Sequence, residues 1–498
     1  MTETAKKKRG MPSSFTILLA LLAIVAVITV IVSGTSGGAV TAARLSDFCT
    51  APILGFADAL PVCLFVMILG GFLGMMTETG ALDNGIAVLV QKLKGNEIML
   101  VPVLMLIFSL GGTTYGMCEE TVPFYALLAA TMMAAGFDPM VGAATVLLGA
   151  GCGCLGSTVN PFAVGAAVGL SAAVDALTGV GIEVNQSIII GLGAVLWIVT
   201  TAMSIFFVMS YAKKVKADKG STILSMQELK DAEEAHGKAA SEVHKEVKLT
   251  GRQKGVLIAF AFTFVVMIVG FIPLADLNEG VANFFDAGAV YDADGNAIVQ
   301  GWSALITGLP IGQWYFDEAS TWFFLMAVLI GIIGGLSEKQ IVNTFITGAA
   351  DMMSVVLVIA LARGISVLMA NTGLDVYVLD AAANALAGLS GVIFAPMSFL
   401  VYFGLSFLIP STSGMATVSM PIMGPLAVKL GFSPEVMVMI FSAAIGVVNL
   451  FTPTSGAIMG GLALAKIEWT TWLKFALKLI VALSVVCAII LTVACVLL

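Results

Sequence analysis

Two stretches of the chain follow one pattern, nearly three hundred residues apart. The first runs Thr113-Thr114-Tyr115-Gly116-Met117, passes Pro123 and Gly136-Phe137-Asp138-Pro139, and ends at Asn160-Pro161. The second runs Ser411-Thr412-Ser413-Gly414-Met415, passes Pro421 and Gly431-Phe432-Ser433-Pro434, and ends at Thr452-Pro453. Each copy sets two clusters of Ser, Thr, Asn, Gly and Pro inside otherwise apolar sequence. Backbone freed from helical hydrogen bonds within lipid has to be buried in protein or line a wet cavity. Duplicated breaks in corresponding positions point to the binding site of a secondary transporter. A membrane carrier is therefore expected.

Composition leads to the same class. Hydrophobic residues make up 59% of the chain, charged residues 11%, and the mean hydropathy is +1.04. A soluble chain of 498 residues would need far more charge to cover its surface. Seven cysteines (Cys49, Cys63, Cys118, Cys152, Cys154, Cys487 and Cys495) lie mostly in apolar runs without metal-site spacing. They read as small buried hydrophobes. The net charge of −8 is concentrated mainly in one loop, and no nucleic-acid partner is expected. Lys6-Lys7-Lys8-Arg9 precedes an apolar stretch from Phe15 to Val32, too long for a signal peptide's core, so it reads as an uncleaved first span.

Spanning-length apolar runs lie at 15–33, 60–80, 139–170, 186–211, 255–273, 320–336, 352–370, 436–465 and 470–496. Those at 139–170 and 436–465 exceed one helix and break at their Pro clusters. Residues 97–134 and 391–428 each form two arms, too short to cross a bilayer comfortably, around a polar tip; they read as re-entrant hairpins. The organisation is thus a basic N-terminus (1–14), a first repeat (15–211), a loop (212–254), an extra helix with its loop (255–319) and a second repeat (320–498).

Basic residues set the expected orientation. The N-terminus, Lys92 with Lys94, and loop 212–254 with its ten Lys or Arg are assigned to the cytoplasm; that loop should hold a solvated amphipathic helix. No Lys or Arg falls between Lys254 and Lys339, so 274–319 is assigned outside, with Tyr291–Asn296 as a turn between short strands. A calcium loop is a poor alternative, because the ligand spacing of an EF-hand is missing. Run 60–80 then travels inward and run 352–370 outward, each ending in a matching Thr-Gly before its hairpin (Thr79-Gly80, Thr372-Gly373). The expected fold is an all-α polytopic membrane protein built as an inverted-topology repeat, with an external C-terminus and two hairpins and two broken helices meeting near the midplane.

Half-helix N-termini suit a carboxylate, while C-termini and unwound carbonyls suit a cation or ammonium group. Candidate side chains are Thr113, Thr114, Ser157, Thr158 and Asn160 in the first half, and Ser411, Thr412, Ser413, Asn449, Thr452, Thr454 and Ser455 in the second. The competing reading is that these hydroxyls bond back to their own helices. Glu119 and Glu120 sit just past the first tip, where the second copy has Thr417 and Val418. An intramembrane carboxylate is a functional candidate because stranding it in lipid is costly. Arg363, in the middle of run 352–370, is the opposite charge, either paired with a Glu or capturing a substrate carboxylate. Glu78 reads as an interfacial residue.

His236 and His244, the histidines of the chain, both lie in loop 212–254, so an embedded histidine relay is excluded. No phosphate-binding Gly-x-x-x-x-Gly-Lys loop and no hydrolase constellation is present. An enzyme is not expected, and a channel is the remote alternative.

The stretch Gly112-Thr113-Thr114-Tyr115-Gly116-Met117-Cys118-Glu119-Glu120-Thr121-Val122-Pro123-Phe124-Tyr125 resembles the first-hairpin motif of the YfcC-type carriers. Gly156-Ser157-Thr158-Val159-Asn160-Pro161-Phe162, Leu361-Ala362-Arg363-Gly364-Ile365 and Pro410-Ser411-Thr412-Ser413-Gly414-Met415-Ala416 resemble that family too. These carriers belong with the anaerobic four-carbon dicarboxylate carriers and the arginine/ornithine antiporters in one ion-transporter superfamily. The resemblance implies an elevator-type fold, usually dimeric, in which the hairpins and broken helices move as a unit; an inner (plasma) membrane location, no cofactor, and either exchange or sodium- or proton-coupled uptake are expected. Its substrates span basic amino acids and carboxylates. The Glu119-Glu120 pair is similar to that of the basic amino-acid members, which favours arginine, ornithine or lysine; a dicarboxylate is the alternative. Sodium-coupled relatives carry Ser-Asn-Thr triplets at both loops, and this chain does not, so a sodium site near Thr114, Ser157 and Asn160 stays open.

Overall fold

The computed structural model describes residues 14–498 except 83, 86, 87, 89–95, 169–183, 243–247, 273 and 293–296. The basic N-terminus, Lys92, Lys94, His244 and most of the 291–296 turn lie outside the described residues. The first half contains α1 (Ser14–Ser33), α2 (Leu45–Asp58), α3 (Leu60–Glu78), α4 (Leu100–Tyr115), α5 (Val122–Ala134), α6 (Pro139–Leu155) and α7 (Gln186–Ala217). The linking region contributes α8 (Met226–Glu242), α9 (Gly251–Phe271) and a small antiparallel pair of strands, Val290–Tyr291 with Ala297–Val299. The second half contains α10 (Phe316–Gly334), α11 (Glu338–Asp351), α12 (Met353–Thr372), α13 (Leu374–Leu386), α14 (Gly391–Leu405), α15 (Thr412–Lys429), α16 (Pro434–Val448), α17 (Gly456–Leu464) and α18 (Trp469–Leu497).

Helices α2, α11 and α13 were not expected. The first two hold 14 residues each, too short and too polar to register as spans. They complete the duplication, since α2 precedes α3 as α11 precedes α12. Packing between the halves is reciprocal: α2 lies on α12 as α11 lies on α3, and α1 lies on α12 as α10 lies on α3. Thr41 N–H donates to Thr372 O, Cys63 Sγ–H to Val356 O, and Gly70 abuts Gly348, so these equivalent segments run antiparallel. Antiparallel equivalents are what an inverted repeat requires.

Glycine permits this crossing. A Cβ on Gly70 would sit 2.5 Å from Gly348 O, and one on Gly348 would sit 2.5 Å from Gly70 O. Gly55 and Gly364 make the matching approach at the other end, where a Cβ on Gly55 would collide with the Gly364 backbone. Small residues let helix backbones approach closely where apolar burial alone gives no drive for association.

Each expected hairpin reverses direction at its tip. The rings of Phe108 and Phe124 lie 5.5 Å apart, whereas a continuous helix would separate them by roughly 24 Å. Tyr402 Oη–H donates to Ser419 Oγ over 3.1 Å and closes the second reversal. The first arms are longer than expected: Glu97–Tyr115 and Gly391–Leu408 rank among nine stretches that, within the described residues, are long and apolar enough to cross a membrane. Pro139–Leu155 and Pro434–Val448, expected as parts of full spans, are shorter apolar helices that end at breaks over 156–160 and 449–455.

Loop 212–254 holds the expected amphipathic helix with its polar face exposed, but its other face is docked and not solvated. Helix α8 docks against α5, with Ala232 fully buried and Glu228 3% exposed. The Glu228 carboxylate accepts from Ser225 N–H at 2.7 Å and from Glu468 N–H at 2.9 Å, while His236 Nε2 meets Leu464 O at 3.1 Å. One helix from the linking segment thereby ties the first hairpin to the α17–α18 corner of the second half. Glu228→Ala strands two N–H groups, at about 1.5–3 kcal/mol for charge-assisted bonds, and should speed proteolysis of residues 218–250. Burial lowers the pKa of His236 below its ordinary 6.5, with Lys466 adding to the effect against the Leu464 carbonyl. The docked ring therefore favours the neutral form; docking is fully stable above the undocked pKa and weakens as pH falls through it. Proteolysis of this segment should accelerate on acidification, and His236→Gln should flatten that dependence.

Candidate functional site

The four irregular points converge on one cavity of about 170 Å³. Its walls include Gly116–Thr121 from the first tip, Asn160 and Phe162 from the first break, Pro410–Ser413 from the second tip, and Asn449 and Thr454–Ile458 from the second break. Arg363 and Ile359 of α12, with Ala59 and Val62 beside the α2–α3 junction, close it from the crossed helices. Of the expected residues, Glu119, Glu120, Asn160, Arg363, Ser411, Thr412, Ser413, Asn449, Thr454 and Ser455 line the cavity. Thr113, Thr114, Ser157, Thr158 and Thr452 do not.

The residues outside the lining hold the breaks together. Thr113 Oγ1–H donates to Gly156 O at 2.6 Å, and Thr158 donates to Thr113 O through both its amide (2.9 Å) and its hydroxyl (3.0 Å). Ser157 Oγ–H donates to Cys154 O at 2.6 Å, and Asn160 Nδ2 donates to Ser157 Oγ at 2.9 Å. Asn160 Oδ1 accepts from Phe162 N–H at 2.9 Å, which starts the next turn. Thr114 bonds back to Leu110 O at 2.7 Å. In the second break Thr452 and Thr454 share a hydroxyl bond of 2.7 Å, while Trp469 and Trp472 indoles donate to Phe451 O (2.7 Å) and Leu450 O (2.9 Å). Gly116 closes α4 at φ +81°, and a Cβ there would sit 2.6 Å from Asn160 Oδ1, so tip and break fit only through glycine.

The charged groups are arranged differently from expectation. Arg363 Nε pairs with Asp58 at 2.9 Å, not with a glutamate. Asp58 ends α2, a helix that hydropathy alone does not reveal. Glu119 lies within electrostatic range of the guanidinium, and Glu120, 1% exposed, accepts from Cys118 N–H at 2.9 Å. Ser411 caps α15 by accepting from Gly414 N–H at 3.1 Å, and Ser455 begins α17 without a side-chain cap. Asn449 Oδ1 is buried with no hydrogen-bond partner. The lining also holds Cys118, Tyr125, Cys154, Phe162 and Phe316, which were not singled out as site residues; nothing in their spacing marks them. Ala59, Cys63, Val66, Val122, Met352, Val355, Val356 and Ile359 form a separate apolar cluster beside the cavity. Beyond it lies a second cavity, of about 460 Å³, walled in part by Thr77, Glu78, Asn343, Asp351 and Met352. No group of three or more His, Cys, Asp or Glu suited to a metal occurs among the described residues.

Two substitutions separate support from binding. Thr113→Val should lower thermal stability by about 1–3 kcal/mol by leaving Gly156 O unpaired. Asp58→Asn removes the partner of Arg363 and should destabilise by less than the roughly 3–5 kcal/mol of a fully buried pair, because the Asp58 side chain is 50% exposed. Thermal unfolding of the purified variants measures both.

The described residues fit known carriers over most of the chain. The family described as C4-dicarboxylate anaerobic carrier (DcuC) matches residues 45–496. An uncharacterised protein of Haemophilus influenzae is 29% identical over 451 residues, covering 90% of this chain and 78% of its own. The putative basic amino acid antiporter YfcC of Escherichia coli K12 is 27% identical over 446 residues, covering 87% and 77%. The YdaH transporter of Alcanivorax borkumensis aligns structurally over 96% of this chain and 97% of its own, at 16% identity and a TM-score of 0.46. The family places the chain among multi-pass membrane transporters of small molecules. With its match running through both halves and every element of the cavity, the chain belongs to the C4-dicarboxylate anaerobic carrier family.

Proposed function

We propose that the chain moves a basic amino acid, such as arginine, ornithine or lysine, across the inner membrane by exchange or ion-coupled uptake. The observation that carries this reading is the charge of the cavity. Its charged lining residues are Glu119, Glu120 and Arg363, and Arg363 is already matched by Asp58. Asp58, Glu119 and Glu120 thus surround a single guanidinium, an excess of carboxylates that attracts a cation. Asn449 Oδ1 adds a buried acceptor that an ammonium group would satisfy. The N-termini of α15 and α17, which border the same space, suit the α-carboxylate. A cavity of about 170 Å³ is below the ~300–1,000 Å³ of drug-sized sites, as a small metabolite requires. The 27%-identical relative with a putative basic amino acid assignment agrees with this reading.

The rival is sodium- or proton-coupled uptake of a four-carbon dicarboxylate or short carboxylate, with Arg363 as anchor. The family description favours it, and the Arg363–Asp58 pair speaks against it. In proteoliposomes, labelled arginine should show counterflow against arginine, ornithine or lysine. Dicarboxylate counterflow with no arginine effect would overturn the assignment. Glu119→Gln and Glu120→Gln keep shape and remove charge, so at least one should stay folded and monodisperse while losing about 1.5–3 kcal/mol of affinity. Normal transport by both variants would refute the role of the pair.

In this reading both hairpins are re-entrant and, with α6, α16 and α17, move as one unit against the crossed α2–α3 and α11–α12 segments of a homodimer. The N-terminus and loop 212–254 face the cytoplasm, and segment 274–319 and the C-terminus face outside. Helix α9 lies between the two segments and is long enough to separate them. An impermeant thiol reagent should label Gln300→Cys from outside and Lys219→Cys only from inside; labelling of both from one side would refute the topology.

A further inference from the structure

We propose that the stacked pair Phe162–Phe316 is a gate between the cavity and the membrane face that carries residues 272–315. Both rings line the cavity. They stack at 5.5 Å between centroids with 26° between planes. Behind them Phe162 also meets Tyr315 at 5.8 Å and Phe271 at 6.2 Å, and neither of those rings borders the cavity. Tyr315 is 54% exposed, so the barrier from cavity to surface is about two rings thick. Gly312 and Trp314 donate their N–H groups to Gly270 O, which ties the end of the 272–315 segment to α9 directly beside this barrier.

The two halves of the stack belong to different parts of the molecule. Phe162 follows Asn160, whose Oδ1 accepts its N–H, so the ring is held by the first break and follows the hairpin tip. Phe316 is the first residue of α10 and rests on Phe65 of α3 at 5.7 Å, in the group of crossed helices. A shift of the break relative to α3 and α10 separates the rings and leaves their own supports intact. Offset aromatic stacking suits such a contact, because its modest energy can be broken and remade in each cycle. The cavity is also bordered by Ala59, Ile359 and Ala457 of an apolar cluster that contains no aromatic ring. The gate is independent of which substrate the cavity takes.

Cys118 lines the cavity and is a native reporter of access. The full-length protein carrying Cys49→Ser, which removes an exposed thiol, is placed in sealed vesicles of each orientation and treated with an impermeant maleimide. Gln300→Cys identifies the face carrying the 272–315 segment, and Cys118→Ser identifies the cavity signal. Phe316→Ala should raise Cys118 labelling from that face by roughly two- to tenfold, the shift expected from losing one aromatic pair, and leave labelling from the opposite face unchanged. Phe316→Leu and Phe162→Leu, which keep an apolar filling, should give smaller increases with the same sidedness and remain readable if the alanine variant does not reach the membrane. Unchanged labelling in all three variants, or an equal rise from both faces, would overturn the gate. Protection of Cys118 by arginine in the parent protein tests the substrate assignment alone, so the two ideas can fail separately.

Discussion

The structure depends on satisfying backbone groups where two helices are interrupted inside an apolar protein. Each break releases carbonyls and N–H groups that lipid cannot solvate. In the first half Thr113, Ser157, Thr158 and Asn160 form a closed set of bonds that fixes the tip of α4 to the end of α6. In the second half two indoles from α18 take the exposed carbonyls of Leu450 and Phe451. The same problem thus has two chemical solutions. Neither uses Glu119 or Asn449 Oδ1, while Glu120 accepts the Cys118 N–H of the tip, and all three residues line the cavity.

The reciprocal crossing of α2–α3 with α12–α11 supplies the rest of the geometry. Its four glycines bring the segments together, and the centre of the crossing, near Ala59 and Met352, lies beside the cavity. The two halves repeat an order of elements but not a set of charges. The first half places Glu119 and Glu120 where the second has Thr417 and Val418, and Arg363 occupies α12 with its counter-ion on α2. This asymmetry gives the site a sign, whereas a symmetric cavity would only have a shape.

Much of this was legible in the residues. The repeat, the long spans, both reversals and both breaks follow from hydropathy and from clusters of helix-breaking residues, which act locally and leave a local mark. Ten of the fifteen residues proposed for the site line one cavity, and the other five spend their hydroxyls on bonds within their helices and breaks. Helices α2, α11 and α13 left no such mark: short amphipathic helices become visible only when a neighbour covers one face. The docking of α8 was hidden for the same reason, since its sequence is that of any solvated helix until Glu228 meets Glu468 N–H.

The sequence by itself determined the class of protein, the duplication and the places where helices must stop, because length, hydropathy and backbone hydrogen bonding act over a few residues. Tertiary structure decided the partners. It gave Arg363 to Asp58, turned Thr113, Ser157 and Thr158 into braces for the breaks, and brought Phe162 against Phe316 across more than a hundred and fifty residues of chain. An ion pair, a shared hydroxyl and a ring stack all depend on distances of a few ångströms between remote segments, and only the packed fold fixes those.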